Sequence, residues 1–240
     1  MSYLLYCIFR GQAQPSPGMP PGVGGKPVFV LSQNGLSAGL SEMTESDLVP
    51  GISQILAYEA VIEHFHRALT VIPVRYGCQL KDTSEALQLL ERHRDEYAAL
   101  LAGLEGLTEM GIHVLLDRSS PGTESRTEPA APPPVCPLCE SGAAYLAAQR
   151  QHYLGLDRAA LHERSLVEEL WTSLAGLYVR RKMEPPDSNR GSLLSLYFLV
   201  PRASVEPFRH TAHHLRSRES IKLLLSGPWP PYNFVDSLGR

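Results

Sequence analysis

Cys136-Pro137-Leu138-Cys139 places two thiols at the spacing used by structural zinc and by redox pairs. Zinc needs four ligands, and the chain has no second Cys-x-x-Cys, so histidines such as His152 would have to complete the site. Thioredoxin-type pairs sit at a helix start within a βαβ unit, which lowers the thiol pKa. This pair instead follows Pro132-Pro133-Pro134 and precedes a helical segment at Gly142. An incidental linker pair is the leading reading, and a metal-binding or redox module the alternative. His210, His213 and His214 share one helix face at i, i+3, i+4, yet the adjoining glutamate of catalytic zinc helices is missing. Arg209, Arg216 and Arg218 surround them with positive charge, so a solvated face fits better. Glu63, His64 and His66 include i, i+2 neighbours, which do not face each other on a helix.

Gly22-Val23-Gly24-Gly25-Lys26-Pro27 approaches a phosphate loop but fails it. Pro20 stands at the first glycine position, Pro27 replaces the hydroxyl, and a strand follows where a helix is required. No Gly-x-Ser-x-Gly elbow occurs. The sequence thus offers no catalytic set, no cofactor and no metal centre beyond the Cys136/Cys139 candidate. What remains informative is aromatic: Tyr76, Trp171, Trp229, Tyr232 and Phe234 are either core or contact surface, with core favoured.

The elements that hold these residues divide the chain in two. Tyr3 to Phe9 is an apolar run of strand length. Gln12 to Gly25 is rich in Pro and Gly and reads as a surface loop. Val28–Leu31 and Leu36–Leu40 flank Asn34-Gly35, the preferred two-residue hairpin turn. Ile52, Ile55, Leu56, Ile62, Phe65 and Leu69 recur at helical spacing, so Gly51–Leu69 should be an amphipathic helix. Val71–Val74 reads as a strand. Asp82 caps a further helix whose apolar side runs from Ala86 to Leu104. Residues 1–105 are thus expected to form an α+β domain, a small sheet packed by two helices.

In residues 106–227, Gly111–Leu116 is a strand and Asp117–Glu140 an exposed linker. Gly142–Leu174 is helical, in one piece or in two joined near Gly155. Tyr178–Met183 and Leu193–Val200 are strands, Val205–Ser217 a helix and Ile221–Leu225 a strand. The order β-α-β-β-α-β is the ferredoxin-like arrangement. Such a sheet could bind a small molecule or nucleic acid, but Tyr197-Phe198 in an aliphatic strand offers few stacking groups. Residues 228–240 form a tail rich in proline and aromatics that should lie against the body.

Leu225-Ser226-Gly227-Pro228-Trp229-Pro230-Pro231-Tyr232-Asn233-Phe234-Val235 resembles the C-terminal signature of the gas vesicle GvpF/GvpL family. Tyr3-Leu4-Leu5-Tyr6-Cys7-Ile8 is similar to that family's opening strand. Thr70-Val71-Ile72-Pro73-Val74-Arg75-Tyr76-Gly77 is similar to its central strand, and Ser141–Leu146 to the start of its long helix. The four stretches occur in the family's order, whereas the insert Gln14–Gly25 and the Cys-x-x-Cys linker have no counterpart. The resemblance implies two α+β domains and a non-enzymatic gas vesicle accessory protein. It further implies a partner, the hydrophobic shell protein GvpA, and possible contacts with other accessory proteins. Arg75, Tyr76, Trp229, Tyr232 and Phe234 are the motif positions expected to serve contact or structure.

Composition fits that expectation. The 240 residues are 43% hydrophobic with a net charge of −3 and a pI near 6.3, which gives no general pull toward nucleic acid. Only Lys26, Lys81, Lys182 and Lys222 are lysine; the other basic groups are arginine, which favours fixed contacts. Leu193–Val200, the longest apolar stretch, is far short of the roughly 20 residues of a membrane span. The start lacks the basic segment of a signal peptide. Cys7 and Cys78 then read as small buried thiols of a cytoplasmic or vesicle-associated protein.

Overall fold

The computed structural model describes residues 2–12, 18–44, 51–115, 161, 164–184, 193–218 and 222–235. The N-terminal half is built on β1 (Ser2–Arg10), which pairs antiparallel with β3 (Leu36–Met43), β4 (Val71–Pro73) and β5 (Gln79–Leu80). With β2 (Val28–Gln33) outside β3, the order is β2-β3-β1-β4. The hairpin between β2 and β3 turns at Asn34 (φ 48°) and Gly35 (φ 84°), as Asn-Gly dictates.

A register shift between Leu5 and Cys7 sets how β1 meets its neighbours. Successive strand residues normally alternate faces, but the extra residue of a bulge resets that parity. Leu4, Tyr6, Cys7 and Phe9 therefore share one apolar cluster with Tyr58, Val61, Ile62 and Phe65 of α1 (Ile52–Ala68). Leu5 and Ile8 join the opposite cluster. There they meet Ala86 and Leu90 of α2 (Thr83–Arg92), and Tyr97, Leu101 and Leu104 of α3 (Arg94–Leu104). The sheet lies between α1 and the α2–α3 pair.

The single helix expected from Asp82 onward forms as two. Asp82 caps α2 by accepting from the Glu85 backbone N–H at 2.8 Å. At His93 the backbone leaves the helix (φ −106°, ψ 20°), and its ring pairs with Glu96 and stacks on Tyr97. The break re-aims the second segment while both keep their apolar residues in one core. The expected surface loop also differs from the structure at its end. Val23–Gly25 is a 3-10 turn with Val23 buried, and the Val23 N–H donates to the Tyr6 hydroxyl at 2.9 Å.

The second half carries β6 (Leu107–Leu115), a helix over residues 164–173 (α4), β7 (Arg180–Glu184), β8 (Leu193–Pro201), α5 (Val205–Arg218) and β9 (Lys222–Trp229). All neighbours are antiparallel in the order β7-β8-β6-β9. This is the expected β-α-β-β-α-β order, mixed helix and sheet throughout. Met110, Ile112 and Val114 oppose Phe198, Leu196 and Leu194, and all six point into one core with α4 and α5. The other face of β8 sends Leu199 into the first core, so the two halves share buried surface.

Candidate contact surface

The Pro-x-Arg-aromatic-Gly turn follows β4, with Gly77 at φ 96°, where glycine is favoured. Arg75 is exposed and Tyr76 half-buried, its ring edge-on to Tyr58 at 5.2 Å. Tyr58 anchors the turn: its hydroxyl lies 2.8 Å from the carbonyls of both Leu5 and Val74. Burial pushes the Tyr58 phenol well above its ordinary value, so it remains a neutral donor.

The aromatic tail begins inside β9. Gly227 has φ 102°, the Gly227–Pro228 peptide is cis, and Arg209 Nη2 donates to the Gly227 carbonyl at 2.8 Å. Trp229 is 42% exposed, while its carbonyl accepts from Thr108 Oγ1 at 2.9 Å. Beyond it, Tyr232 packs on the α1-side cluster, whereas Phe234 and Val235 join the α2–α3-side cluster. Arg180 lies over the Phe234 ring, 5.5 Å from its centre. Of the motif residues, the fold thus gathers Tyr76 and Tyr232 into one core and Phe234 into the other. Arg75 and Trp229 face outward. The Tyr232 hydroxyl is buried without a hydrogen bond of normal geometry, and Glu59 is the acid that faces it.

Beneath the tail runs a polar seam that sequence reasoning missed. Glu109 is only 4% exposed, and its carboxylate accepts from Asn233 N–H at 2.8 Å and Asn233 Nδ2–H at 2.7 Å. The Thr108 hydroxyl spends its proton on the Trp229 carbonyl, so it can only accept from His66 Nε2, 3.2 Å away. Arg202 Nη2 lies against the His66 ring, 3.2 Å from Nδ1 and 3.3 Å from Nε2, and donates to the His66 backbone carbonyl. Burial and a guanidinium this close both favour the neutral imidazole. Burial first, and Arg202 second, lower its pKa to about 4. Burial raises Glu109 to about 7 against the hydrogen bonds from Asn233.

These two groups tilt stability in opposite directions. The contribution of Glu109, raised in the folded state, is complete below 4.5 and is lost as pH rises through about 7. That of His66, lowered in the folded state, is present above 6.5 and is lost as pH falls through about 4. Glu109→Gln will flatten the decline in urea midpoint between about pH 6 and pH 8, and His66→Gln will flatten the acid-side decline. A Glu109→Gln protein with the wild-type slope across that range refutes the assignment.

One apolar group is left outside the cores. Ile52, Ile55 and Leu56, at i, i+3, i+4 on the first turns of α1, are 80%, 43% and 63% exposed. Spacing puts all three on the apolar side with Ile62 and Phe65; only the latter two are buried, together with Tyr58, Val61 and His66.

The other chemistry candidates fare as follows. Cys136 and Cys139 lie outside the described residues. His210 and His214 face each other on α5 with ring centres 5.2 Å apart, and no group of three or more metal-capable side chains converges among the described residues. Burial raises the thiol pKa of both Cys7 and Cys78, away from reactivity. Among the described residues no helix is long and apolar enough to cross a membrane.

This mixed α+β fold with two antiparallel sheets is shared with solved structures of known proteins. The chain matches the family model "Gas vesicle synthesis protein GvpL/GvpF" over residues 2–236 and belongs to that family. Gas vesicle protein F of Streptomyces sp. (strain CB03234) is 25% identical over 251 aligned residues, covering 98% of this chain and all of the relative. Gas vesicle protein L of the same strain is 26% identical, over 75% of this chain and 67% of its own length. The crystal structure of GvpF from Anabaena sp. PCC7120 superposes with a TM-score of 0.75 at 17% identity, covering 98% of this chain and 95% of that one. GvpF from Microcystis aeruginosa gives 0.74 at 16% identity, with 98% of each chain covered.

Proposed function

We propose that this gas vesicle protein works by binding alone: it holds the small hydrophobic shell protein GvpA in a soluble, assembly-competent form and remains associated with the growing vesicle. The observation that carries this reading is the exposed Ile52/Ile55/Leu56 stripe. A shell subunit with one face destined for a gas space presents apolar surface to water before it assembles, and a helix stripe of matching chemistry shields such surface. Arg75 and Trp229 flank this role as exposed motif residues, while Tyr76, Tyr232 and Phe234 hold the frame. No bond is made or broken in this scheme.

The test is co-purification of tagged protein with freshly synthesised shell protein, alongside light scattering of the shell protein alone. Replacing Ile52, Ile55 and Leu56 together by serine should abolish both capture and suppression of scattering. Thermal stability should stay close to wild type, because three exposed side chains bury little on folding. A triple variant that still captures the shell protein ends the assignment of this stripe.

A further inference from the structure

A single residue, Asn233, supplies both N–H groups that satisfy the buried Glu109 carboxylate. Its carbonyl is held in turn by Lys182 Nζ at 3.2 Å. On either side, Tyr232 and Phe234 insert into different cores. The segment 230–235 therefore crosses the junction of the two halves and is fastened at its centre by one acid.

We infer that residues 230–235 are a strap seated by the charge state of Glu109: the neutral acid holds Asn233 down, and the ionised acid lets the strap lift, opening the end of the first core that Phe234 and Val235 close. The hydrogen-bonding inventory allows seating in both states. A carboxylate accepts twice from Asn233, whereas a carboxylic acid accepts from the backbone N–H and donates to Asn233 Oδ1 once the amide turns over. What separates the states is solvation, because burying the charge costs far more than burying the acid.

The groups facing Glu109 do not cancel that cost. Lys182 on β7 is a cation whose charge acts on Glu109, but it donates to the Asn233 carbonyl and is opposed by Glu184 on the same strand. Tyr197 on β8 and Tyr232 on the strap face it as neutral phenols, each with its pKa raised, and Glu59 of α1 stands behind Tyr232. His66 and Arg202 adjoin only through Thr108.

Amide hydrogen exchange on the intact chain, corrected for the intrinsic pH dependence of exchange, reads the strap directly. With Glu109 near 7 when seated and near its ordinary value when lifted, protection of the Asn233 and Phe234 amides should fall about tenfold from pH 6 to pH 8. Protection of Ile112 in the middle of β6 should hold. Glu109→Gln preserves the hydrogen bonds without the charge, so its strap should stay protected at both pH values. Asn233→Ala should be unprotected at both. A constant wild-type ratio, the same fall in Glu109→Gln, or a parallel fall at Ile112 that marks global opening would each overturn the inference.

Discussion

Replacing Gly227 with alanine will destabilise the protein by about 3 kcal/mol or more. At φ 102° a side chain strains the backbone, by about 1–3 kcal/mol at such positions. The added Cβ would also stand 2.7 Å from the Glu109 carbonyl oxygen and 3.3 Å from Met110 Cα. Both are backbone atoms of β6, held by pairing to β8 and β9, so neither retreats without breaking the ladder. Gly103→Ala is the control: it is exposed in α3 with no atom within 4 Å of the new Cβ, and should gain about 0.5–1 kcal/mol. Urea denaturation of the two variants separates strain from propensity. An unchanged midpoint for Gly227→Ala would mean the Gly-Pro-Trp-Pro-Pro turn does not need its glycine.

Phe234→Ala will cost about 3 kcal/mol, the lower end for a buried aromatic, because the ring closes the edge of a core rather than filling its centre. The loss should also uncouple the halves. Trp171 packs against the second core, so in a Trp229→Phe background it is the sole tryptophan and reports that half alone. Near-ultraviolet tyrosine signals are weighted toward the first half, where Tyr6, Tyr58 and Tyr97 are fully buried. Coincident transitions in the parent and separated ones in Phe234→Ala are the expected result. A loss below about 1 kcal/mol with coincident transitions would show that Phe234 does not join the halves.

Much of this fold can be read directly where pattern and period agree. The Asn34-Gly35 hairpin, the Asp82 cap and the alternation of Leu194, Leu196, Phe198 and Val200 each carry a local physical cause. The bulge in β1 is different. Tyr3 to Phe9 is apolar at every position, and a run buried on both faces contains no parity from which a shift is detected. The buried extent of α1 is hidden for a related reason: spacing defines one apolar side but cannot say how far along the helix the core extends. Glu109 and the buried role of His66 are not legible locally because their partners, Asn233 and Arg202, lie more than a hundred residues away. The one local signal was a lone acid inside an apolar strand, Leu107-Thr108-Glu109-Met110-Gly111-Ile112.

The shared membership of Leu5 and Val235 in a single cluster has a kinetic consequence. Contacts that join almost opposite ends of a polypeptide form after local hairpins and helices, since the entropy of closing so large a loop must be met first. Both sheets can therefore be paired while the gap between them still lacks its plug. During that interval the molecule itself displays bare aliphatic surface, and its yield on refolding should fall as its concentration rises.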